Sequence, residues 1–237
     1  MSTLLEVSNL AKRFGGLAAN QDISFVIQPA EIIGLIGPNG AGKTTLFNCI
    51  AGFYRPTEGN IRFNGVDTTG ASPEKMARIG LARTFQIVRV FASMTALANV
   101  TVAALLNNKS VTGARAQAMR TLAFCGLEHR ADISAGILTV AEQRRLEVAR
   151  ALALKPKLLL LDETMAGLNP TEVQEAVALV KSIKARGIAC LIVEHVMEGI
   201  MPIADRILVL DYGRKIADGP PAEVRNDPAV LAAYLGE

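Results

Sequence analysis

The sequence predicts an α/β fold with an N-terminal antiparallel β layer and a helical subdomain inserted into the core. Short apolar segments alternate with turns in the first part of the chain, as β-strands do. Alanine-rich segments with helical periodicity then dominate from about residue 73 to about residue 150. Two apolar runs separated by one long helical segment follow, Leu158–Leu161 and Ile188–Val193. They predict a parallel β-α-β unit with a right-handed crossover.

The elements of the first part are short. Apolar segments predict strands at Leu4–Leu10, Ile23–Ile27 and Ile32–Ile36, with a break at Pro29. Because short turns join the first strands, we expect part of this layer to pair antiparallel. A helix is predicted at Lys43–Ala51, ended by Gly52, and a strand with a turn at Ile61–Asp67.

Helices dominate the middle of the chain, and we place the inserted subdomain at approximately residues 88–150. The helical segments are Pro73–Ile79, Ala96–Leu106, Ala114–Gly126 and Glu142–Leu154. The crossover helix after Leu161 has clear boundaries: Asn169 caps it, Pro170 suits its first position, Glu172 completes a capping box and Gly187 ends it. A hairpin is predicted around a Tyr212-Gly213 turn, with strands Ile207–Leu210 and Lys215–Ala217.

Length and composition narrow the class of protein. The 237 residues are enough for a substantial core, and half of them are hydrophobic. The longest apolar runs are far shorter than the ~20 residues of a membrane-spanning helix. No secretory signal is visible, so we expect a cytosolic location. Three distant cysteines, Cys49, Cys125 and Cys190, predict reduced core residues, and a net charge of +3 gives no reason to expect nucleic acid.

The segment after the strand Ile32–Ile36 has the pattern of a phosphate-binding loop. It reads Gly37, Pro38, Asn39, Gly40, Ala41, Gly42, Lys43, Thr44 and Thr45, and a helix follows. Glycines let the backbone turn its N–H groups toward an anion, and the helix adds its positive dipole end. We expect Lys43 to reach the β and γ phosphates and Thr44 to ligate Mg²⁺. The loop therefore predicts binding of a nucleoside triphosphate.

Two adjacent acids end the strand Leu158–Leu161. Ligands in parallel sheets bind at the carboxyl ends of the strands, so Asp162 and Glu163 are expected beside the phosphate loop. Asp162 is the candidate to hold Mg²⁺ through water, and Glu163 is the candidate to polarise the attacking water. Taken alone, such a pair also fits an ordinary helix start.

His195 and Gln86 are weaker candidates for the same crevice. His195 follows the strand Ile188–Val193 and fits a sensor of the γ phosphate, or a histidine that is simply hydrogen-bonded at a strand end. Gln86 follows the strand-like segment Leu81–Phe85 and is a neutral candidate to contact the metal or the water.

In their order along the chain, these motifs resemble the ATPases of ABC transporters. The resemblance covers essentially the whole chain, and rests on the phosphate loop, Gln86, the segment Leu138–Leu152, the acidic strand end, the run Ala166–Pro170 and His195. It implies a single ABC ATPase domain over residues 1–237, with a P-loop NTPase core. The segment Arg83–Val100, the run ending at Pro170 and the C-terminal sequence AAYLGE further resemble the ATPases of branched-chain amino acid importers.

This resemblance implies an ATP hydrolase that uses Mg²⁺ and works as a dimer. Two ABC subunits, identical or different, would pair head to tail, each nucleotide lying between one phosphate loop and the partner's signature segment. Thr139 and Ala141 would then serve the partner's nucleotide, and Phe14 matches the aromatic that stacks on adenine. Phe14 fits simple packing equally well. Transmembrane permease subunits and, indirectly, a periplasmic solute-binding protein are the implied partners, at the inner face of the cell membrane.

The signature segment departs from the family pattern. Val140 and Ala141 add bulk where the family has small residues, and Glu142 adds a negative charge near a polyanion. Thr139 and Glu142 also have capping-box spacing, so Glu142 is either functional or only a helix cap. Our hypothesis is an attenuated signature. Thr164 stands where the family usually has proline, and we expect this to loosen the turn slightly.

Other functions fit the sequence less well. A non-transport ABC ATPase acting on nucleic acid or ribosomes would usually carry a second cassette or a long basic insert, and neither is present. A P-loop kinase or GTPase would not need the signature segment. An ABC subunit for a different solute remains an alternative, because the chain has no segment identifiable as a solute site.

Overall fold

Two β-sheets and a set of helices form the computed structural model, which describes residues 3–235. The smaller sheet is the predicted antiparallel layer, with strand order β2-β1-β4-β5. Its strands are β1 (Leu5–Phe14), β2 (Leu17–Ile27), β4 (Glu58–Phe63) and β5 (Val66–Asp67).

The larger sheet contains the β-α-β unit that the sequence predicts. Its order is β10-β9-β3-β8-β7-β6, with β3, β6, β7, β8 and β9 parallel and β10 antiparallel at one edge. The strands are β3 (Ile32–Ile36), β6 (Leu81–Arg83), β7 (Leu158–Asp162), β8 (Ala189–Val193), β9 (Arg206–Asp211) and β10 (Arg214–Gly219). The last two strands are the predicted hairpin.

The helices before β8 lie close to their predicted positions, whereas the helices after β8 had no sequence prediction. They are α1 (Lys43–Ile50), α2 (Pro73–Ile79), α3 (Ala96–Ala104), α4 (Val111–Phe124), α5 (Val140–Ala153), α6 (Pro170–Ala185), α7 (Met197–Ile200), α8 (Pro221–Val224) and α9 (Pro228–Leu235). Helix α6 begins with the predicted capping box of Asn169 and Glu172, with Pro170 at its first position. Along the chain, α3, α4 and α5 come between β6 and β7, and these helices pack against one another.

Two hydrophobic cores lie on opposite faces of the larger sheet. In β3, Ile33 and Leu35 pack into the core under the antiparallel layer, whereas Ile32 and Ile36 pack into the core that continues into the helical subdomain. This alternation is the period of two that a strand imposes on its side chains. Burial on both faces explains why β3, β7 and β8 read as continuous apolar runs.

The first hairpin is longer than the sequence predicts. We placed strands at Leu4–Leu10 and Ile23–Ile27, but β1 continues to Phe14 and β2 begins at Leu17. The added segment is rich in polar and half-exposed residues and contains register shifts, so it has no apolar run that would reveal a strand.

The cysteine expectation agrees with the structure. Cys49, Cys125 and Cys190 are buried with free thiols, as predicted. Within residues 3–235, none of the helices combines the length and the apolar character needed to cross a bilayer. The C-terminal sequence AAYLGE lies partly outside the described residues, since Gly236 and Glu237 are beyond them.

Replacement of Gly34 by alanine tests how tightly β3 packs. A Cβ atom there would lie 2.6 Å from Cδ1 of Ile207 and 2.8 Å from Cγ1 of Ile200. Overpacking of this kind should lower the free energy of unfolding by about 1–3 kcal/mol, measured by urea denaturation. Gly16→Ala is the control, because its Cβ would meet no atom within 4 Å. Equal effects of the two changes would contradict this account.

Candidate active site

A cleft at the carboxyl ends of the parallel strands brings together most of the predicted site residues. Its volume is about 550 Å³, and it lies between the phosphate loop and the turns of both sheets. The predicted residues that line it are Phe14, Asn39, Gly40, Ala41, Gly42, Lys43, Thr44, Thr45, Gln86, Glu163 and His195.

The phosphate loop has the bent backbone that its glycines predict. Gly37, Gly40 and Gly42 have φ values of +145°, +82° and +96°. A Cβ on Gly42 would lie only 2.4 Å from the carbonyl oxygen of Ala19, so a side chain does not fit there. Helix α1 begins at the next residue without a side-chain cap among the described residues. Its first N–H groups therefore suit an anion.

Lys43 is held against the loop that precedes it. Its Nζ donates hydrogen bonds to the carbonyl oxygens of Gly37, at 2.6 Å, and Pro38, at 2.9 Å. Burial lowers the pKa of Lys43, and the carboxylates of Glu163 and Asp162 oppose that shift. The charges of both predicted acids therefore act on the lysine. Its own positive charge can balance theirs and that of a bound phosphate.

Asp162 is buried and paired with a residue that sequence reasoning missed. Arg83 Nη2 lies 3.1 Å from Oδ2 of Asp162, and the backbone N–H of Asp162 donates to the hydroxyl of Thr84 at 3.1 Å. The pKa of Asp162 lies above its ordinary value because the carboxyl group is buried, and Arg83 opposes that shift. No sequence pattern could link Arg83 to Asp162, because the partners lie 79 positions apart and meet only through the pairing of β6 with β7.

Glu163 lies between the two weaker candidates. Its Oε2 accepts a hydrogen bond from Gln86 Nε2 at 3.0 Å, and its Oε1 lies 3.2 Å from His195 Nε2. The structure therefore brings all three predicted catalytic residues into direct contact. Contacts to both oxygens restrict the rotation of the carboxylate, and a base must be restrained in this way to meet a water molecule in a productive geometry.

The loop that carries Gln86 is held by side chains of α5. Arg144 Nη1 donates to the carbonyl oxygen of Gln86 at 2.8 Å. Oε1 of Glu147 accepts the N–H groups of Phe85 and Arg89, each at 3.3 Å. Since α5 begins at the signature segment, one helix connects that segment to Gln86.

The signature residues lie outside the cleft. Thr139 is the N-cap of α5, and its hydroxyl accepts the N–H of Glu142, whose side chain in turn accepts the N–H of Thr139. Arg130 Nε also lies 2.7 Å from Glu142 Oε1. Glu142 is thus a helix cap with a paired charge. Val140 is 58% exposed, whereas Ala141 is buried and lines a cavity between α5 and α6.

Phe14 lies at the rim of the cleft. It is 43% exposed, and its ring packs edge-to-face against Tyr54 at a centroid distance of 5.3 Å, with Lys12 Nζ 4.9 Å from its centroid. The ring therefore has both packing contacts and an exposed surface on which a flat base can stack.

Several residues that line the cleft were not predicted as site residues, and they lie at the start of β2 and in the turn between β9 and β10. They are Leu17, Ala18, Ala19, Tyr212 and Gly213. The N–H of Gly213 donates to the carbonyl oxygen of Ala41 at 3.1 Å, and its own carbonyl accepts the N–H of Gln21 at 2.8 Å. The turn between β9 and β10 therefore connects the antiparallel layer to the phosphate loop. A Tyr-Gly pair in the sequence predicts this turn, but it does not predict which distant segments the turn contacts.

The proposed metal ligands fit Mg²⁺ in their chemistry. Thr44, Gln86 and Asp162 offer hydroxyl, amide and carboxylate oxygens, which this ion prefers. Across residues 3–235, no group of three or more His, Cys, Asp or Glu side chains could hold a metal ion. The remaining ligands would have to be phosphate oxygens and water.

A phosphate-binding loop at the carboxyl edge of a parallel sheet, beside paired acids, defines this protein as a nucleoside-triphosphate-binding α/β protein. The model of the ABC transporter family matches residues 20–166. A model of the branched-chain amino acid ATP-binding cassette transporter matches residues 214–237. The chain belongs to the ABC transporter family and is an ATP-binding cassette ATPase.

Its relatives match over nearly their whole length. The high-affinity branched-chain amino acid transport ATP-binding proteins BraF of Pseudomonas aeruginosa and LivG of Escherichia coli are each 42% identical to it, over 99% of this chain and 98% of theirs. Among solved structures, a nucleotide-free ATP-binding cassette from an ABC transporter superposes with a TM-score of 0.91 at 30% identity, covering 100% of both chains.

Restoration of the family residues tests whether the signature is attenuated. Changing Val140, Ala141 and Glu142 to Gly, Gly and Gln should raise ATP turnover in the assembled complex several-fold, because bulk near the partner's nucleotide is removed. Glu142→Gln alone is the matched control. It should leave turnover unchanged, since Arg130 already pairs with that charge. Unchanged turnover in the triple variant would contradict the hypothesis.

Proposed function

We propose that this ATPase powers the import of branched-chain or related amino acids. Full-length identity of 42% to BraF and LivG, whose names describe branched-chain amino acid transport, carries the assignment. The match of residues 214–237 to the branched-chain amino acid cassette model supports it independently of the nucleotide site.

The residues of the cleft have different roles in ATP hydrolysis. Lys43 and the N–H groups at the start of α1 bind the phosphates, and Phe14 stacks on the adenine ring. Glu163 accepts the proton of the water that attacks the γ phosphorus while the bond to the β-phosphate oxygen breaks. Gln86 and His195 keep the carboxylate of Glu163 in position through their contacts with its two oxygens.

Thr44, Gln86 and Asp162 would hold Mg²⁺, directly or through water. When bound, this ion neutralises charge on the β and γ phosphates and makes them better electrophiles. Arg83 pairs with the buried carboxyl group of Asp162 and favours its ionised form, which is the form that binds a metal ion.

Two cassettes are needed for a complete site. Thr139 and Ala141 would bind the nucleotide held by a second ABC subunit, which is either a copy of this chain or a related one. Val140 and Ile137 are 58% and 76% exposed at the start of α5, so this surface has apolar groups for a partner to cover.

The loop after Gln86 and the end of α3 form the proposed docking surface for transmembrane permease subunits. Ile87 is 78% exposed and Phe91 44%, and Val102, Leu105 and Leu106 add further exposed apolar surface. Arg144 and Glu147 connect this loop to the signature helix, so docking there would affect both nucleotide contacts of the chain. The protein would act at the cytoplasmic face of the membrane, with a periplasmic solute-binding protein on the opposite side.

The solute assignment is tested in proteoliposomes that hold this chain and its membrane subunits. A periplasmic binding protein loaded with leucine, isoleucine or valine should stimulate ATP hydrolysis several-fold over the unloaded protein, since transport ATPases use ATP when the loaded partner docks. The same binding protein incubated with a charged amino acid is the control. Stimulation by a solute of another class, and not by these three, would refute the assignment.

Glu163→Gln tests the base. The amide keeps the size of the side chain and one acceptor oxygen but cannot take up the proton of water, so kcat should fall by about 10²-fold or more while ATP still binds. Phosphate release and equilibrium ATP binding measure the two effects. Glu198→Gln is the control, because Glu198 is an exposed acid that does not line the cleft. Normal hydrolysis by Glu163→Gln would show that another group is the base.

A further inference from the structure

Glu194 is a buried carboxyl group that the mechanism above does not use. It lies between Val193 and His195 and is 1% exposed. Its Oε1 accepts the N–H of Met165 at 2.8 Å and the hydroxyl of Thr164 at 3.4 Å. Its Oε2 is buried without a hydrogen-bond partner among the described residues. A polar atom in this situation reduces stability, so folding alone does not explain the group.

The two residues that Glu194 contacts directly follow Glu163. Glu163 itself has a left-handed backbone, with φ +49°. For a residue with a side chain this conformation is strained, and it persists only where the surrounding structure holds it. The turn after β7 therefore needs contacts that fix Glu163 from both sides.

Those contacts come from the end of β8. The N–H of Glu163 donates to the carbonyl oxygen of Val193 at 2.9 Å, which fixes the near side of the turn. Glu194 binds Thr164 and Met165 on the far side, and His195 contacts the carboxylate itself. Three consecutive residues of one strand end thus restrain the backbone, the following turn and the side chain of Glu163.

Thr164, which stands where the family usually has proline, adds a contact to this arrangement. The residue is 6% exposed, and its hydroxyl shares Oε1 of Glu194 with the N–H of Met165. A proline has no hydroxyl and could not make this bond. The Thr164 hydroxyl therefore adds a second hydrogen bond between the turn and the end of β8.

The charge state of Glu194 suits a position so close to another acid. The pKa of Glu194 is raised to about 7, chiefly by burial; the N–H of Met165 and the hydroxyl of Thr164 oppose this shift, and the nearby carboxylate of Glu163 contributes to it. A carboxyl group with a raised pKa carries less negative charge near neutral pH than an ordinary glutamate, so it repels Glu163 less.

We propose that Glu194 is a positioning residue for ATP hydrolysis, which holds the strained turn after β7 so that Glu163 keeps its contacts with Gln86 and His195. The inference rests on the proposed role of Glu163 as the base. Glu194 does not touch the nucleotide in this arrangement. Its loss should lower kcat and leave the KM for ATP almost unchanged.

Two conservative variants separate the effect of side-chain length at position 194 from the effect of its charge. Glu194→Gln retains an oxygen at the same distance from the backbone, so the bonds to Met165 and Thr164 can form. Glu194→Asp retains the carboxyl group but is one methylene shorter, so Oδ cannot reach both partners. With the full-length chain in its assembled complex, kcat and KM for ATP are measured for each, together with the melting temperature.

We expect Glu194→Gln to keep kcat within about threefold of the wild type, and Glu194→Asp to lower it about tenfold or more with KM within about twofold. Thr164→Val, which removes one hydroxyl, should give a smaller loss of kcat at the same KM. Wild-type kcat in Glu194→Asp would overturn the proposal, and so would a loss of kcat in Glu194→Gln as large as in Glu194→Asp. A parallel rise in KM would also overturn it, since that would indicate a damaged nucleotide site.

Glu163→Gln, measured in the same series, separates this inference from the proposed function. If Glu163→Gln hydrolyses ATP normally, the assignment of the base is wrong. If Glu163→Gln is inactive and Glu194→Asp is as active as the wild type, the base assignment stands and only the role of Glu194 is refuted.

Discussion

The hydrogen-bonded register between β7 and β8 is the constraint on which the site depends. It pairs Asp162 with Val193, so that the residue after each strand emerges at the same sheet edge. The N–H of Glu163 continues this ladder to the carbonyl oxygen of Val193. A shift of one residue would turn every side chain of β7 to the other face and separate Glu163 from His195. Burial of both strands on both faces makes such a shift costly, because it would exchange the two cores.

A second constraint comes from α5, which joins two regions with different ligands. Its first turn carries the signature segment, and one and two turns later Arg144 and Glu147 bind the backbone around Gln86. Because these bonds go to backbone atoms, displacement of the helix would displace the whole loop and not a single side chain. The contact of Gln86 with Glu163 extends this connection to the proposed base. In the proposed dimer, the first turn of α5 would serve the partner's nucleotide, whereas Arg144 and Glu147 hold the loop of the chain's own site.

Sequence patterns predicted the site where its chemistry is local. The phosphate loop, the capping boxes at Thr139 and Asn169 and the acids after β7 each lie within a few consecutive residues, and the structure shows the expected backbone and caps. Where one residue fits two functions, the local sequence pattern does not show which of them it has. Glu142 fits both a nucleotide contact and a helix cap, and only the position of Arg130 shows that its charge is already paired.

The sequence by itself determined the fold class, the order of its elements and the identity of the phosphate-binding segment, because hydrophobic period, turn residues and caps act over short distances along the chain. The tertiary structure alone decided which residues complete the site. Arg83 meets Asp162, Glu194 meets Met165, and Gly213 meets Ala41 because strands that are distant in sequence are neighbours in a sheet. Such contacts are set by the packing of two cores against one sheet, and no local period in the sequence encodes them.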